Sequence, residues 1–99
     1  MKISILAVDD EGPILTLLAR FLGKDPMLEL ETACCAYEAM SLCLQKSYDA
    51  IICDINLPDI DGPDLIRQMK GIRCCPEFVI FISGTVKSVP RDPVGNTVF

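Results

Sequence analysis

The stretch IICDINLPDIDG, residues 51–62, decides the fold and raises the question of what its acids do. Its first three residues are apolar and are typical of a strand buried on both faces, yet the next residue is Asp54. Two further acids, Asp59 and Asp61, follow in the loop. A carboxylate at the end of a buried strand is costly unless it has a partner. The residues that the fold places around Asp54 therefore determine its role.

The composition predicts one small globular domain. The chain has 99 residues, of which 51% are hydrophobic and 23% are charged, and this balance suits a single core. The net charge of −5 disfavours nucleic acid as a partner. No apolar run approaches the ~20 residues of a membrane span, and the start of the chain lacks the apolar length of a secretory signal. We therefore expect a cytoplasmic protein with no membrane partner.

The cysteines are predicted to be free thiols. The six of them are Cys34, Cys35, Cys43, Cys53, Cys74 and Cys75. A disulfide framework needs a secretory context, which the sequence does not indicate, and adjacent pairs lack the spacing of a zinc site. The chain has no histidine. Cys43 and Cys53 are interpreted as small core residues, and metal binding or redox chemistry is the alternative for the set.

Apolar runs alternate with amphipathic segments along the chain. The predicted strands are ISILAV (3–8), LELET (28–32), AIIC (50–53) and FVIFIS (78–83). The predicted helices are PILTLLARFL (13–22), AYEAMSLCLQK (36–46) and a segment that begins at Pro63. The run 28–32 alternates in polarity and is typical of an edge strand, whereas the other three are continuous. This order predicts an α/β fold with a parallel sheet between layers of helices.

The helical spacing predicts which side chains face the sheet. They are Ile14, Leu17, Leu18 and Phe21 in the first helix, Ala36, Ala39, Met40 and Cys43 in the second, and Leu65, Ile66 and Met69 in the third. Asp61 is placed to cap the third helix. Asp59 and Glu11 are interpreted as solvated loop acids, and Glu11 could also support a metal through water.

Polar side chains stand where three predicted strands end. Asp9 and Asp10 follow the first strand, Asp54 follows the third, and Ser83 ends the fourth. Because ligands bind at the carboxyl ends of strands in open α/β sheets, we expect these groups to converge. Converging carboxylates repel each other, and a Mg²⁺ ion with oxygen ligands would relieve that repulsion. Helix capping by Asp9, Asp10 or Asp61 is the alternative.

Three motifs carry a resemblance to a known family. They are VDDE (8–11), DINLPDIDG (54–62) and SGT (83–85), each directly after a predicted strand. In this combination the chain resembles the CheY-like receiver domains of two-component response regulators over residues 1–85. The resemblance implies a flavodoxin-like, doubly wound parallel sheet and a signalling role that is not enzymatic. It implies that a histidine kinase or phosphotransfer protein donates a phosphoryl group to this domain.

The resemblance also implies a role for each matching residue. Asp54 would be the phosphoacceptor, and Ser83 would contact the phosphoryl group. Asp9, Asp10, Asp54 and the backbone carbonyl of Asn56 would bind Mg²⁺. Phosphoryl transfer depends mainly on positioning and charge neutralisation, which this arrangement would supply.

The chain departs from the family near its C-terminus. The family carries a Lys after a fifth strand, and Lys87 lies too close to Ser83 to be its equivalent. We therefore expect the strand order 2-1-3-4, with the fifth strand and last helices missing or atypical and an irregular Pro-containing tail at 86–99. Strand four then becomes an unpaired edge, which predicts a homodimer through that edge.

Three functions stay open on the sequence. The first is a phosphoacceptor signalling domain of a phosphorelay. The second is a degenerate receiver that acts as a protein-interaction module without phosphorylation-driven switching. The third is a Mg²⁺-dependent phosphohydrolase with Asp54 as its nucleophile. It is the weakest, because hydrolases of the haloacid dehalogenase type carry D-x-D and the third position here is Asn56.

Overall fold

Crossover connections place four strands parallel in one sheet. The computed structural model describes residues 2–83. The strands are β1 (Ile3–Val8), β2 (Leu28–Ala33), β3 (Ala50–Asp54) and β4 (Phe78–Ile82). They pair in the order β2-β1-β3-β4, and every pairing is parallel. The predicted fold class and the strand order 2-1-3-4 are confirmed, while the predicted tail at 86–99 and any fifth strand lie outside the described residues.

A helix follows each of the first three strands. The helices are α1 (Gly12–Leu22), α2 (Ala36–Gln45) and α3 (Gly62–Gly71). The Asp61 side chain accepts a hydrogen bond of 2.8 Å from the backbone N–H of Asp64, so the predicted cap of α3 is confirmed. Between residues 2 and 83, no helix has both the length and the apolar character needed to cross a bilayer.

The larger part of the core lies between the sheet and the pair α2 and α3. The strands contribute Leu6, Val8, Ile51, Cys53, Val79 and Phe81, and the helices contribute Ala36, Ala39, Cys43, Leu65, Ile66 and Met69. Met40 packs at the margin of this cluster. The inward faces predicted for the second and third helices are therefore confirmed.

The opposite face of the sheet is covered by α1. Here Leu15, Leu18 and Leu22 pack against the strands. The prediction that Leu17 and Phe21 face inward is wrong, because their side chains are 60% and 74% exposed. At 3.6 residues per turn, these two residues lie about a third of a turn from the contacting ridge. The helix is apolar over a wider arc than the sheet covers.

Coverage of that second face decreases toward β4. Helix α1 lies against β1 and β2. On β4, Phe78 is 58% exposed, and Ile80 and Ile82 are only partly buried. Within residues 2–83, β4 pairs with β3 on one side and has no strand on the other.

Candidate functional site

The carboxyl ends of β1 and β3 bring three of the predicted site residues together. Each of Asp9, Asp10 and Asp54 places a carboxylate oxygen within 4.8 Å of the other two. The strand register explains this, because Val8 lies opposite Cys53, so the residues that follow them meet at one edge. Asp9 and Asp54 are buried, with 3% and 7% of their surface exposed, and Asp10 is exposed. The result is an acidic pocket with one open side.

The electrostatics of this pocket favour a cation. Burial raises the pKa of Asp54 to about 6, and the neighbouring charges of Asp9 and Asp10 add to that increase. The hydrogen bond that Asp54 accepts from the backbone N–H of Asn56 acts in the other direction and lowers this pKa. Carboxylates that are poorly solvated and close to each other are strongly stabilised by a nearby positive ion. The donor set consists of oxygens alone and fits Mg²⁺.

Backbone N–H groups hold the two buried carboxylates. Asp9 Oδ1 accepts from the N–H of Glu11 at 2.9 Å, and Asp54 Oδ1 accepts from the N–H of Asn56 at 3.2 Å. Both bonds span two residues and fix local turns. The N-cap position of α1 is Glu11, which makes no side-chain cap bond. Helix capping therefore does not explain Asp9, although it does explain Asp61.

Backbone hydrogen bonds fix the loop that follows Asp54. The N–H of Ile55 donates to the carbonyl of Ile82 at 3.0 Å, and the N–H of Gly62 donates to the carbonyl of Ile55 at 2.8 Å. A Cβ atom on Gly62 would lie 2.4 Å from the carbonyl oxygen of Asp54. Gly62 is therefore required for the close approach of α3 to the end of β3.

Asp59 has a role that the sequence did not reveal. Its carboxylate accepts hydrogen bonds from the N–H of Ala36 at 3.0 Å and of Tyr37 at 2.8 Å. These bonds lower the pKa of Asp59, that of Ala36 most strongly. Asp59 is an exposed loop acid, as interpreted, and it also caps α2 from another part of the chain. Its partners lie more than 20 residues away, so no local motif signals the contact.

The remaining predicted site residues lie at the same edge of the sheet. Asn56 is exposed and follows Asp54 by two residues. Ser83 is exposed and directly follows Ile82, the residue of β4 that lies opposite Asp54. The metal-binding role of the Asn56 carbonyl and the phosphoryl contact of Ser83 stay predictions. Gly84, Thr85 and Lys87 lie outside the described residues.

Comparison with known sequences gives a family for most of the chain. A sequence profile of the response regulator receiver domain matches residues 5–91. Over 84 residues, or 84% of the chain, the sequence is 36% identical to protein-glutamate methylesterase/protein-glutamine glutaminase 2 of Shewanella oneidensis. The match covers 23% of that protein. The chain spans 23% to 34% of the length of the first curated relatives that it matches.

Solved structures agree with this assignment. The response regulator TrrA from Thermotoga maritima, solved in complex with Mg²⁺–BeF, is 30% identical, with a TM-score of 0.76 over 87% of this chain and 72% of that one. A CheY-like receiver domain from Methylobacillus flagellatus shares the fold, with a TM-score of 0.82 at 20% identity over 100% and 84% of the two chains. Motifs, strand order and sequence profile agree, and the chain belongs to the response regulator receiver-domain family.

Proposed function

We propose that this chain is a phosphoacceptor signalling domain of a cytoplasmic phosphorelay, with Asp54 as the phosphorylated residue. The observation that supports this most is the position of the Asp54 carboxylate, which is buried at a strand end within 4.8 Å of carboxylate oxygens of Asp9 and Asp10. The similarity to a receiver solved with Mg²⁺–BeF also supports it. A histidine kinase or a phosphotransfer protein would be the donor.

The chemistry assigned to Asp54 is an in-line displacement. Its carboxylate oxygen forms a bond to phosphorus while the bond between phosphorus and the donor's imidazole nitrogen breaks. The hydrogen bond from Asn56 to Oδ1 holds the side chain in one orientation during the attack. Such positioning is a large part of the catalysis of phosphoryl transfer.

The acids beside Asp54 would hold a metal ion. Asp9, Asp10, Asp54 and the backbone carbonyl of Asn56 are the proposed ligands of Mg²⁺, which would neutralise charge on the phosphoryl oxygens. Ser83 would donate a hydrogen bond to one of those oxygens. The fixed turns at Asp9 and Asp54 keep two of the ligands in place before the donor arrives.

Phosphorylation with a small donor tests this function. The protein is incubated with Mg²⁺ and acetyl phosphate, and intact mass is measured. We expect one phosphoryl adduct per chain, which Asp54→Asn abolishes. The matched control is Asp64→Asn, which removes the same charge from a half-exposed acid on α3 and should leave the adduct unchanged.

The other outcomes separate the remaining functions. A folded protein that gains no adduct from acetyl phosphate and no beryllofluoride complex contradicts the proposal and favours a receiver used only for protein interaction. Continuous release of phosphate from phosphate esters, abolished in Asp54→Asn, favours a phosphohydrolase instead.

A further inference from the structure

A groove runs along the surface of the protein between α2 and α3. It consists of two adjoining cavities of about 350 and 410 Å³, and Leu44 lines both of them. The first cavity lies at the start of α2, where Asp59 lines it, and the second lies beyond the end of α2, where Arg73 lines it. Helix α2 has 10 residues, which gives the groove a length of about 15 Å. We name it the α2–α3 groove.

The walls of this groove carry large apolar side chains that are exposed. Tyr37 and Leu44 on α2 are 70% and 63% exposed, and Ile72, the C-cap residue of α3, is 54% exposed. All three line the groove. A contiguous group of exposed apolar side chains is typical of a surface that binds another molecule.

The spacing of the wall residues fits an α-helix as that molecule. Tyr37 and Leu44 are seven residues apart on one wall, and Leu65 and Ile72 are seven residues apart on the other. Seven residues correspond to about two turns of a helix, so each pair lies on one face. A third helix with apolar residues at the same spacing can insert its side chains between those of both walls, as in a coiled coil.

The groove carries opposite charges at its two ends. Among the described residues that line it, the charged ones are Asp59 and Arg73, and both are exposed. Hydrogen bonds from the N–H groups of Ala36 and Tyr37 lower the pKa of Asp59, so this acid is ionised at neutral pH. A helix with a base near Asp59 and an acid near Arg73 would be complementary to the groove. Because helices favour acids in their first turn and bases in their last, such a helix begins at Arg73 and ends at Asp59.

We propose that the α2–α3 groove binds an amphipathic helix of a partner protein. The helix is about three turns long, has apolar residues at seven-residue spacing, and carries acids in its first turn and bases in its last. It lies antiparallel to α2, and its apolar side chains contact Tyr37, Leu44 and Ile72. Docking needs neither Mg²⁺ nor phosphorylation of Asp54.

Fluorescence anisotropy with two labelled peptides tests the proposal. Each peptide is two heptads long, with Leu at positions a and d and Ala or Gln elsewhere. The matched peptide has Glu in its first turn and Lys in its last, and the reversed peptide exchanges these charges. We expect saturable binding of the matched peptide, at least about threefold tighter than that of the reversed peptide, because only the matched one forms ion pairs at both ends. Arg73→Gln should reduce this preference, which a difference in helix content between the peptides would not explain.

A substitution in the wall of the groove tests its location. Leu44→Glu should weaken binding of the matched peptide by at least about tenfold, because it removes an apolar contact and places a charge in the groove. The matched control is Leu17→Glu, which changes a similarly exposed leucine on α1 and should leave binding unchanged. Circular dichroism shows whether each variant is folded. If Leu44→Glu does not fold, Tyr37→Ala takes its place, with the same expected direction.

Four results would overturn the proposal. They are no saturable binding of the matched peptide, equal binding of the two peptides, a preference that Arg73→Gln leaves unchanged, and equal losses in Leu44→Glu and Leu17→Glu. Self-association that Leu44→Glu abolishes would also overturn it, because the groove would then hold a second copy of the chain. The assay contains no phosphodonor, so its result is independent of the phosphorylation experiment.

Discussion

At the scale of single residues, Gly62 controls the position of Asp54. It is the first residue of α3 and lies against the last residues of β3. An added Cβ would lie 2.4 Å from the carbonyl oxygen of Asp54 and 3.1 Å from the Sγ atom of Cys53. The first of these is a backbone atom and cannot move without moving the strand end. The smallest possible side chain would therefore displace Asp54.

We predict that Gly62→Ala lowers the free energy of unfolding by about 2 kcal/mol, because overpacking at this contact forces the backbone apart. It should also slow the formation of the phosphoryl adduct, since Asp54 is carried by the strand that shifts. Urea denaturation and the acetyl phosphate assay measure the two effects.

Gly12 provides the control for this substitution. It is the first residue of α1, and an added Cβ meets no atom within 4 Å. Gly12→Ala should therefore be neutral or stabilise the protein by up to about 1 kcal/mol. Equal unfolding free energies for the two alanine variants would contradict the role assigned to Gly62.

At the scale of secondary-structure elements, Asp59 joins the loop after β3 to the start of α2. Its two hydrogen bonds satisfy N–H groups that the first turn of a helix leaves without partners. The same loop begins at Asp54. The side chain of Asp59 therefore connects the loop that begins at Asp54 directly to a helix that packs on the sheet.

We predict that Asp59→Ala lowers the free energy of unfolding by about 1 kcal/mol at pH 7, the usual cost of losing a helix cap. The pKa of Asp59 is lowered in the folded state from an ordinary value of 3.8. Its ionised form thus stabilises the fold above that value, and this contribution is lost as the pH falls through the folded pKa. Urea denaturation at pH 7 and at several pH values below 3.8 measures the difference.

Asp59→Asn is the matched control, because asparagine keeps an acceptor oxygen and removes the charge. It should cost less than Asp59→Ala at pH 7. If Asp59→Ala cost the same at the lowest pH as at pH 7, the stabilisation would not come from the carboxylate.

Much of the secondary structure could be predicted from the sequence, and the exceptions have physical reasons. The strand positions and the Asp61 cap follow from patterns within a few residues, and the carboxylate cluster follows from the rule that parallel strands end at one edge. The contact of Asp59 with α2 was missed because its partners are distant in the chain. The inward assignment of Leu17 and Phe21 failed for a different reason: periodicity defines an apolar arc, but the partner surface decides which part of it is buried.

At the scale of the whole molecule, the two faces of the sheet are covered unequally. Two helices pack on one face, and α1 alone packs on the other within residues 2–83. This leaves apolar side chains of α1 and β4 exposed, among them Leu17, Phe21 and Phe78. Among the strands of residues 2–83, β4 stands at the edge of the sheet, and an edge strand with exposed apolar side chains is a favourable surface for association with another chain.

We predict that the protein forms a homodimer through the β4 edge. Sedimentation velocity at micromolar concentrations should give the mass of two chains, and Phe78→Lys should shift it toward one chain, because a charged side chain on an edge strand opposes pairing. Tyr37→Lys is the control, since Tyr37 is a similarly exposed aromatic residue on α2. A monomer that stays folded throughout this concentration range would contradict the prediction.

The strand order has a consequence for how the chain folds as it is synthesised. β2 pairs with β1, β3 pairs with the other side of β1, and β4 pairs with β3. Each of β2, β3 and β4 therefore pairs with a strand that precedes it in the chain. The sheet can grow outward from β1 one unit at a time, in the N-terminal-first order of translation. The three carboxylates of the acidic pocket come from the ends of β1 and β3, so β4 contributes none of them.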